Sequence, residues 1–227
     1  MMKIAFAMLM ITALASCAVT EQSKPDTVQP TGFLSDYSQL KPGTKDQMLL
    51  VDFPPGIDWK QYNSIILAPV QVWDSPDSKI SAQDQRALST YYYNTLKEHL
   101  SKDFTMVEQP GPGVIKIRVA LTNPTTATPV LRTVSVIVPQ ARLLGSVKNL
   151  ATGSYAFVGS AQSEGEILDS VTNKRLAAAV DRRSGGLSVK NANVWEWGDA
   201  EKAMDFWAQR MNERLVEWRS GTPTASR

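Results

Sequence analysis

"GSAQSEGEILDSVTNKRLAAAVDRR", residues 159–183, reads as two strands and the turn between them. The turn is DSVTNK (169–174), where Asn173 tolerates the positive φ of a tight reversal. Side chains alternate across a strand. Gln162, Glu164 and Glu166 therefore share one face of the first strand, and Ala161, Ser163, Gly165 and Ile167 share the other. The second face is small enough for a helix to pack closely on it. Glu164 and Glu166 lie about 7 Å apart by strand rise and are expected to be solvated acids on an exposed face.

Working outward from this hairpin, "VIKIRVALT" (114–122) alternates as well, with Ile115, Ile117, Val119 and Leu121 inward and Lys116, Arg118 and Thr122 outward. "NSIILAPVQVW" (63–73) is a near-continuous apolar run, which reads as one buried strand, and "FTMVEQ" (104–109) as a further one. Ser81 with Asp84 three residues on resembles a capping box and predicts a helix of about 22 residues with the stripe Leu88, Tyr92, Leu96, Leu100. A closing helix from Gly198-Asp199 carries Ala200, Ala203, Trp207, Met211, Leu215 and Trp218 at helical spacing. Phe33, Tyr37 and Leu40 predict a short helix that Pro42-Gly43 stops. The sum is an α+β chain: a two-layer sandwich of a mostly antiparallel, 4–6-stranded sheet packed by two long amphipathic helices.

The N-terminus sets the compartment. Lys3 precedes an apolar run, Ile4 to Leu14, too short to span a hydrocarbon core of about 30 Å and suited to a secretory signal. Leu14-Ala15-Ser16-Cys17 follows, and Cys17 is the only cysteine of the 227 residues, so no intramolecular disulfide can form. These four residues resemble the bacterial lipobox. That resemblance implies removal of residues 1–16 as signal peptide and acylation of Cys17 with palmitate-class chains. An ordinary cut after Ala15 or Ser16 would instead leave a free thiol. Each buried lipid CH₂ contributes about 0.8 kcal/mol, so the two or three chains of a lipobox cysteine hold stably. Residue 18 is alanine and not an inner-membrane-retaining aspartate, which favours the outer membrane with the domain facing the periplasm. Residues 17–31 follow as the acylated cysteine and a polar, proline-containing tether reaching about 20 Å. The single domain covers 32–219, and 220–227 form a frayed tail.

"GFLSDYSQLKPG" (32–43), placed just after that tether, resembles the opening of the proteobacterial lipoprotein family catalogued as domain of unknown function 3313. "EGEILDSVTNKRLAAAVDRR" (164–183) and the tryptophan-rich C-terminal helix resemble it as well, so the likeness spans most of residues 31–219. It implies an envelope lipoprotein and a small α+β fold, and no activity.

The residues themselves point away from chemistry. His99 is the only histidine and falls near the end of the first long helix, where its charge would suit the helix dipole. No G-x-S-x-G surrounds a serine, no glycine-rich phosphate loop occurs, and one histidine with a spent cysteine excludes the usual zinc sets. No enzyme activity, cofactor or metal is expected. With 24 basic and 22 acidic residues, and basic residues never in runs longer than pairs, nucleic acid is not an expected partner.

Two stretches could serve recognition. Trp195 and Trp197 flank Glu196 and point the same way if extended, covering the core edge or offering an aromatic shelf to glycan, lipid or protein. "PTTATPVLRTVSVIVPQARLLGSVKNL" (124–150) holds apolar clusters that include Val136, Ile137, Leu143 and Leu144, suited either to the core or to an interface. The expected function is a membrane-anchored, non-enzymatic accessory or interaction module of the envelope, docking a protein partner or a second copy. The alternative is a binding module for a small envelope ligand, glycan or lipid, built from the Trp195/Trp197 region and the 130–150 segment.

Overall fold

A computed structural model of the chain describes residues 20–28, 30–44, 47–73, 80–125, 160–184 and 197–221. Its centre is an antiparallel meander of three long strands: β7 (Val114–Thr125), β8 (Ser160–Asp169) and β9 (Arg175–Ser184). The β8–β9 turn forms as expected, with Asn173 at φ 56°. Asp169 organises it: its carboxylate accepts the backbone N–H groups of Val171 (3.1 Å) and Thr172 (2.8 Å) and the Thr172 hydroxyl (2.8 Å). These bonds, the Thr172 N–H foremost, hold the Asp169 carboxyl below its ordinary pKa.

Both outer edges of the meander are tiled by short strands. Along β9 lie β3 (Leu50–Asp52), opposite Ala178–Val180, and β1 (Glu21–Gln22), opposite Arg183–Ser184, with β2 (Lys41–Pro42) pairing β3. Along β7 lie β4 (Ser64–Leu67) and β5 (Gln71–Trp73), both parallel to it, and β6 (Thr105–Met106) is parallel to β4. The described residues thus form a nine-stranded, mostly antiparallel sheet, where four to six strands were expected. The difference is physical: a strand of two or three residues is too short to display a period. The run 63–73 is two strands because Pro69 has no N–H to give the ladder. Ala68 makes the last bond before it, to the Ile117 carbonyl at 3.0 Å.

Helix α1 (Ala82–Leu100) begins where Ser81 Oγ accepts the Asp84 N–H at 3.1 Å, and it buries Leu88, Tyr92, Leu96 and Leu100 as the spacing predicts. It is three residues shorter than expected. Helix α2 (Gly198–Ser220) ends at Gly221, whose φ of 68° suits a residue without Cβ. Both helices pack into the cluster containing Ile115, Ile117, Val119, Leu121, Ala161 and Ile167, the inward face of the meander. Of the expected α2 stripe, Ala200, Ala203, Trp207 and Leu215 are fully buried. Met211 and Trp218 are only partly so.

The opposite face carries a second cluster, in which Phe33 and Leu34 cover Ala120, Ala178 and Val180, with Val28, Tyr37 and Leu40 around them. This covering segment is irregular and not the short helix that residues 33–40 suggested. The Tyr37 hydroxyl accepts the N–H groups of Gly32 (3.0 Å) and Leu34 (3.1 Å), which fixes the segment's irregular path. Of the tether expected over 17–31, the described part packs on the fold. Thr20 and Ser23 are buried, and Glu21–Gln22 form a strand, so the chain is built into the fold from residue 20.

Candidate functional site

Where α2 crosses β8 and β9, the sheet presents residues too small to meet it. The register sets Ser163 opposite Asp181, Gly165 opposite Ala179 and Ile167 opposite Ala177. A Cβ placed on Gly165 would come no closer than 3.6 Å to any neighbour. An apolar groove therefore runs between these strands and Trp207, Met211, Leu215 and Trp218 of α2. Sequence reasoning located both sides of it, the small strand face and the helical stripe, but expected them to close on each other.

The far end of the groove is aromatic. Trp218 stacks on Trp59 at 4.6 Å between centroids and meets Phe53 edge-on at 5.0 Å. Phe53 is 38% exposed, one of three large hydrophobic residues left so open among the described residues. On the rim, Arg210 pairs with Glu213 (3.0 Å) and Arg214 with Glu217 (2.7 Å), each within one helical turn.

The near end is closed by a buried carboxylate. Asp181 accepts from Gln22 Nε2 (2.7 Å), the Leu49 N–H (3.2 Å), Arg183 Nε (3.0 Å) and Trp207 Nε1 (2.8 Å). Four donors around one buried anion satisfy its acceptor capacity and offset its desolvation. Arg183 then reaches outward: its Nη1 donates to the Thr20 carbonyl and hydroxyl, each at 3.2 Å, and its guanidinium lies 3.5 Å from the Phe206 ring centroid. Burial pushes the Arg183 pKa below its ordinary value, and Asp181 opposes that shift. The Tyr92 hydroxyl, bonded to Ser163 at 2.9 Å, has its pKa pushed up by burial.

The acids singled out in the hairpin are elsewhere, on the opposite face, and they are not solvated. Gln162, Glu164 and Glu166 are all buried beneath the covering segment. Tyr37 donates its hydroxyl to Glu164, Gln162 Nε2 donates to Glu164 Oε1 at 3.0 Å, and Arg118 pairs with Glu166. Phe33 lies over the Arg118 guanidinium, 5.0 Å from ring centroid to Cζ. Burial, with Glu164 second, pushes the Tyr37 pKa up. Each carboxylate thus has a fixed partner, which makes the pair a structural clasp. Nothing within the strand's own sequence signals its cover, because Tyr37 lies 127 residues from Glu164.

Trp197 does not form an aromatic shelf. It is 4% exposed, part of the main core cluster, and immediately precedes α2. Cys17, Val136, Ile137, Leu143, Leu144 and Trp195 lie outside the described residues. His99 stands in the last turn of α1, half-buried. Among the described residues no group of three or more His, Cys, Asp or Glu side chains is arranged to hold a metal ion, and no helix is long and apolar enough to cross a membrane.

A family model described as "Protein of unknown function (DUF3313)" matches residues 29–211. The chain is 28% identical over 190 residues to the uncharacterized lipoprotein YdcL of Escherichia coli K12, covering 81% of this chain and 82% of that one. Among solved structures it is similar to the PelC dodecamer of Paraburkholderia phytofirmans, with 11% identity and a TM-score of 0.37 over 70% of this chain and 94% of that one. Protein XCC0632 of Xanthomonas campestris aligns at 8% identity and a TM-score of 0.38, covering 75% and 94%. Both structural likenesses are coarse.

Proposed function

The chain belongs to the DUF3313 family, and on that premise we propose that it is a lipid-anchored accessory module of the bacterial envelope, non-enzymatic, acylated at Cys17 and held at the outer membrane facing the periplasm. The observation that carries this reading is the sole cysteine placed at the end of Leu14-Ala15-Ser16-Cys17, in a chain whose curated relative is a lipoprotein. Two or three acyl chains on one residue make an anchor that does not need a membrane-spanning helix.

Radiolabelled palmitate fed to cells tests it. The wild-type chain is expected to take up label and to sediment with outer-membrane density. Cys17→Ser is expected to lose both. Equal labelling of Cys17→Ser, or a freely soluble wild-type chain with an unmodified thiol, would overturn the anchor. The accessory role is tested by crosslinking in cells: one envelope protein recovered stoichiometrically with the wild type supports it, and recovery of the chain without any partner counts against it.

The second reading, a binding module for a small envelope ligand, is favoured by the half-open apolar groove. Its site moves from the Trp195/Trp197 region to the wall formed by Trp207, Met211 and Trp218.

A further inference from the structure

Tyr92 of α1 and Ser163 of β8 meet hydroxyl to hydroxyl at 2.9 Å, and both residues line the groove. Tyr92 is 1% exposed and Ser163 8%. Each hydroxyl has one proton to donate, and a bond between the two uses only one of those protons. The other needs an acceptor of its own. Among the described residues neither hydroxyl has a second partner. Asp181 lies directly across from Ser163 in the strand register, but its carboxylate is taken by Gln22, Leu49, Arg183 and Trp207. One buried O–H donor is thus left at the wall of an apolar groove, which is unfavourable until an acceptor arrives.

The rest of the lining decides what can bring that acceptor. Gly165, Ala177, Ala179, Met211 and Leu215 offer no hydrogen-bonding side chain, so any further polar group on a ligand would be buried without a partner. A sugar, polar at nearly every carbon, is excluded on that ground. The charges are matched: Asp181 with Arg183, Glu166 with Arg118, Arg210 with Glu213 and Arg214 with Glu217. A carboxylate, a phosphate or an ammonium would find no surplus counter-charge. The cavity volume is about 90 Å³, well above the roughly 10–15 Å³ that one water needs. We propose that the groove binds a small neutral molecule, one ring or a short alkyl chain, whose single carbonyl or ether oxygen accepts the free O–H of the Tyr92–Ser163 pair. This rests on the small-ligand reading of the groove and names its chemical class.

The test uses the chain from residue 17, which holds every described element, with Cys17→Ser so that no detergent competes for apolar molecules. Fluorine NMR titrations compare 4-fluoroacetophenone, which has the acceptor, 1-ethyl-4-fluorobenzene, which lacks it, and 4-fluorobenzoate, which is charged. The ketone and the ethylbenzene are expected to bind and the benzoate not to. Tyr92→Phe/Ser163→Ala should weaken the ketone about fivefold and leave the ethylbenzene unchanged or tighter. Gly165→Leu, which fills the groove floor, and separately Ala179→Leu should abolish binding of both, with thermal melts confirming that each variant is folded. The infrared carbonyl stretch of the ketone should fall on binding. That last reading needs no variant, and an unshifted stretch would overturn the contact with the hydroxyl pair. Equal weakening of ketone and ethylbenzene in the double variant, or benzoate binding as well as the ketone, would overturn the chemical class while leaving the groove a ligand site. Binding of neither neutral compound, or binding that persists in both leucine variants, would remove the small-ligand reading itself.

Discussion

On one side of β8 and β9, Glu164, Glu166, Ala178 and Val180 lie beneath residues 31–40; on the other, Gly165, Ala177 and Ala179 face α2 across an open groove. The same two strands thus have one closed face and one unfinished face, and polarity accounts for the contrast. A buried carboxylate without its partners costs several kcal/mol, so once residues 31–40 cover the acidic face its charges must be answered, as they are by Tyr37 and Arg118. An apolar groove left partly open forgoes only about 25 cal/mol for each Å² not removed from water. A protein can carry that cost, and it leaves room for an apolar ligand.

The largest expected effect is at the residue that joins the groove to the N-terminal strand. Asp181→Ala leaves Arg183 as an uncompensated buried charge and strips acceptors from Trp207, Gln22 and Leu49. A loss of about 3–5 kcal/mol is expected in urea denaturation. Phe33→Ala should cost about 3 kcal/mol, because it opens the covered face and removes the ring over Arg118. A cost near zero would show that the covering segment contributes little, and the contrast between the faces would fail.

Tyr62 gives a smaller effect with a pH signature. It donates to Asp169 at 2.9 Å, and burial foremost, with that bond second, pushes its pKa up to about 12. In the folded state the phenol keeps its proton where an unfolded tyrosine, near pKa 10, loses it. Its contribution is therefore complete below about pH 10 and is lost as pH rises toward 12. Tyr62→Phe should cost about 1 kcal/mol at neutral pH. It should also flatten part of the fall in stability between pH 10 and 12, read from urea melts at pH 8 and 11.

Much of this fold is legible in the amino-acid order. The β8–β9 turn with Asn173, the alternation of Ile115, Ile117, Val119 and Leu121, and the α1 stripe after Ser81 all form as their spacing predicts. Local patterns need several residues to show a period, so β1 and β2, two residues each, left no trace, while β6 is the part of the strand expected over 104–109 that forms. The burial of Glu164 and Glu166 was hidden for a different reason: their cover comes from a segment distant in sequence, and two alternating acids look the same whether or not something folds over them. Trp197 takes the first of the two roles its position offered, covering the core, with α2 beginning at the very next residue. The groove was half visible, since small residues opposite a helical stripe imply either close packing or a gap, and only the placement of α2 decides which.

The contrast between the faces is tested most directly by adding the same bulk to each side of β9. Ala178 points into the covered face and Ala179 toward the groove. Ala178→Leu is expected to cost about 1–3 kcal/mol through overpacking. Ala179→Leu is expected to change stability by less than about 0.5 kcal/mol, or to raise it, by filling open apolar space. Equal costs at the two positions would contradict the reading of an unfilled groove on the helix side.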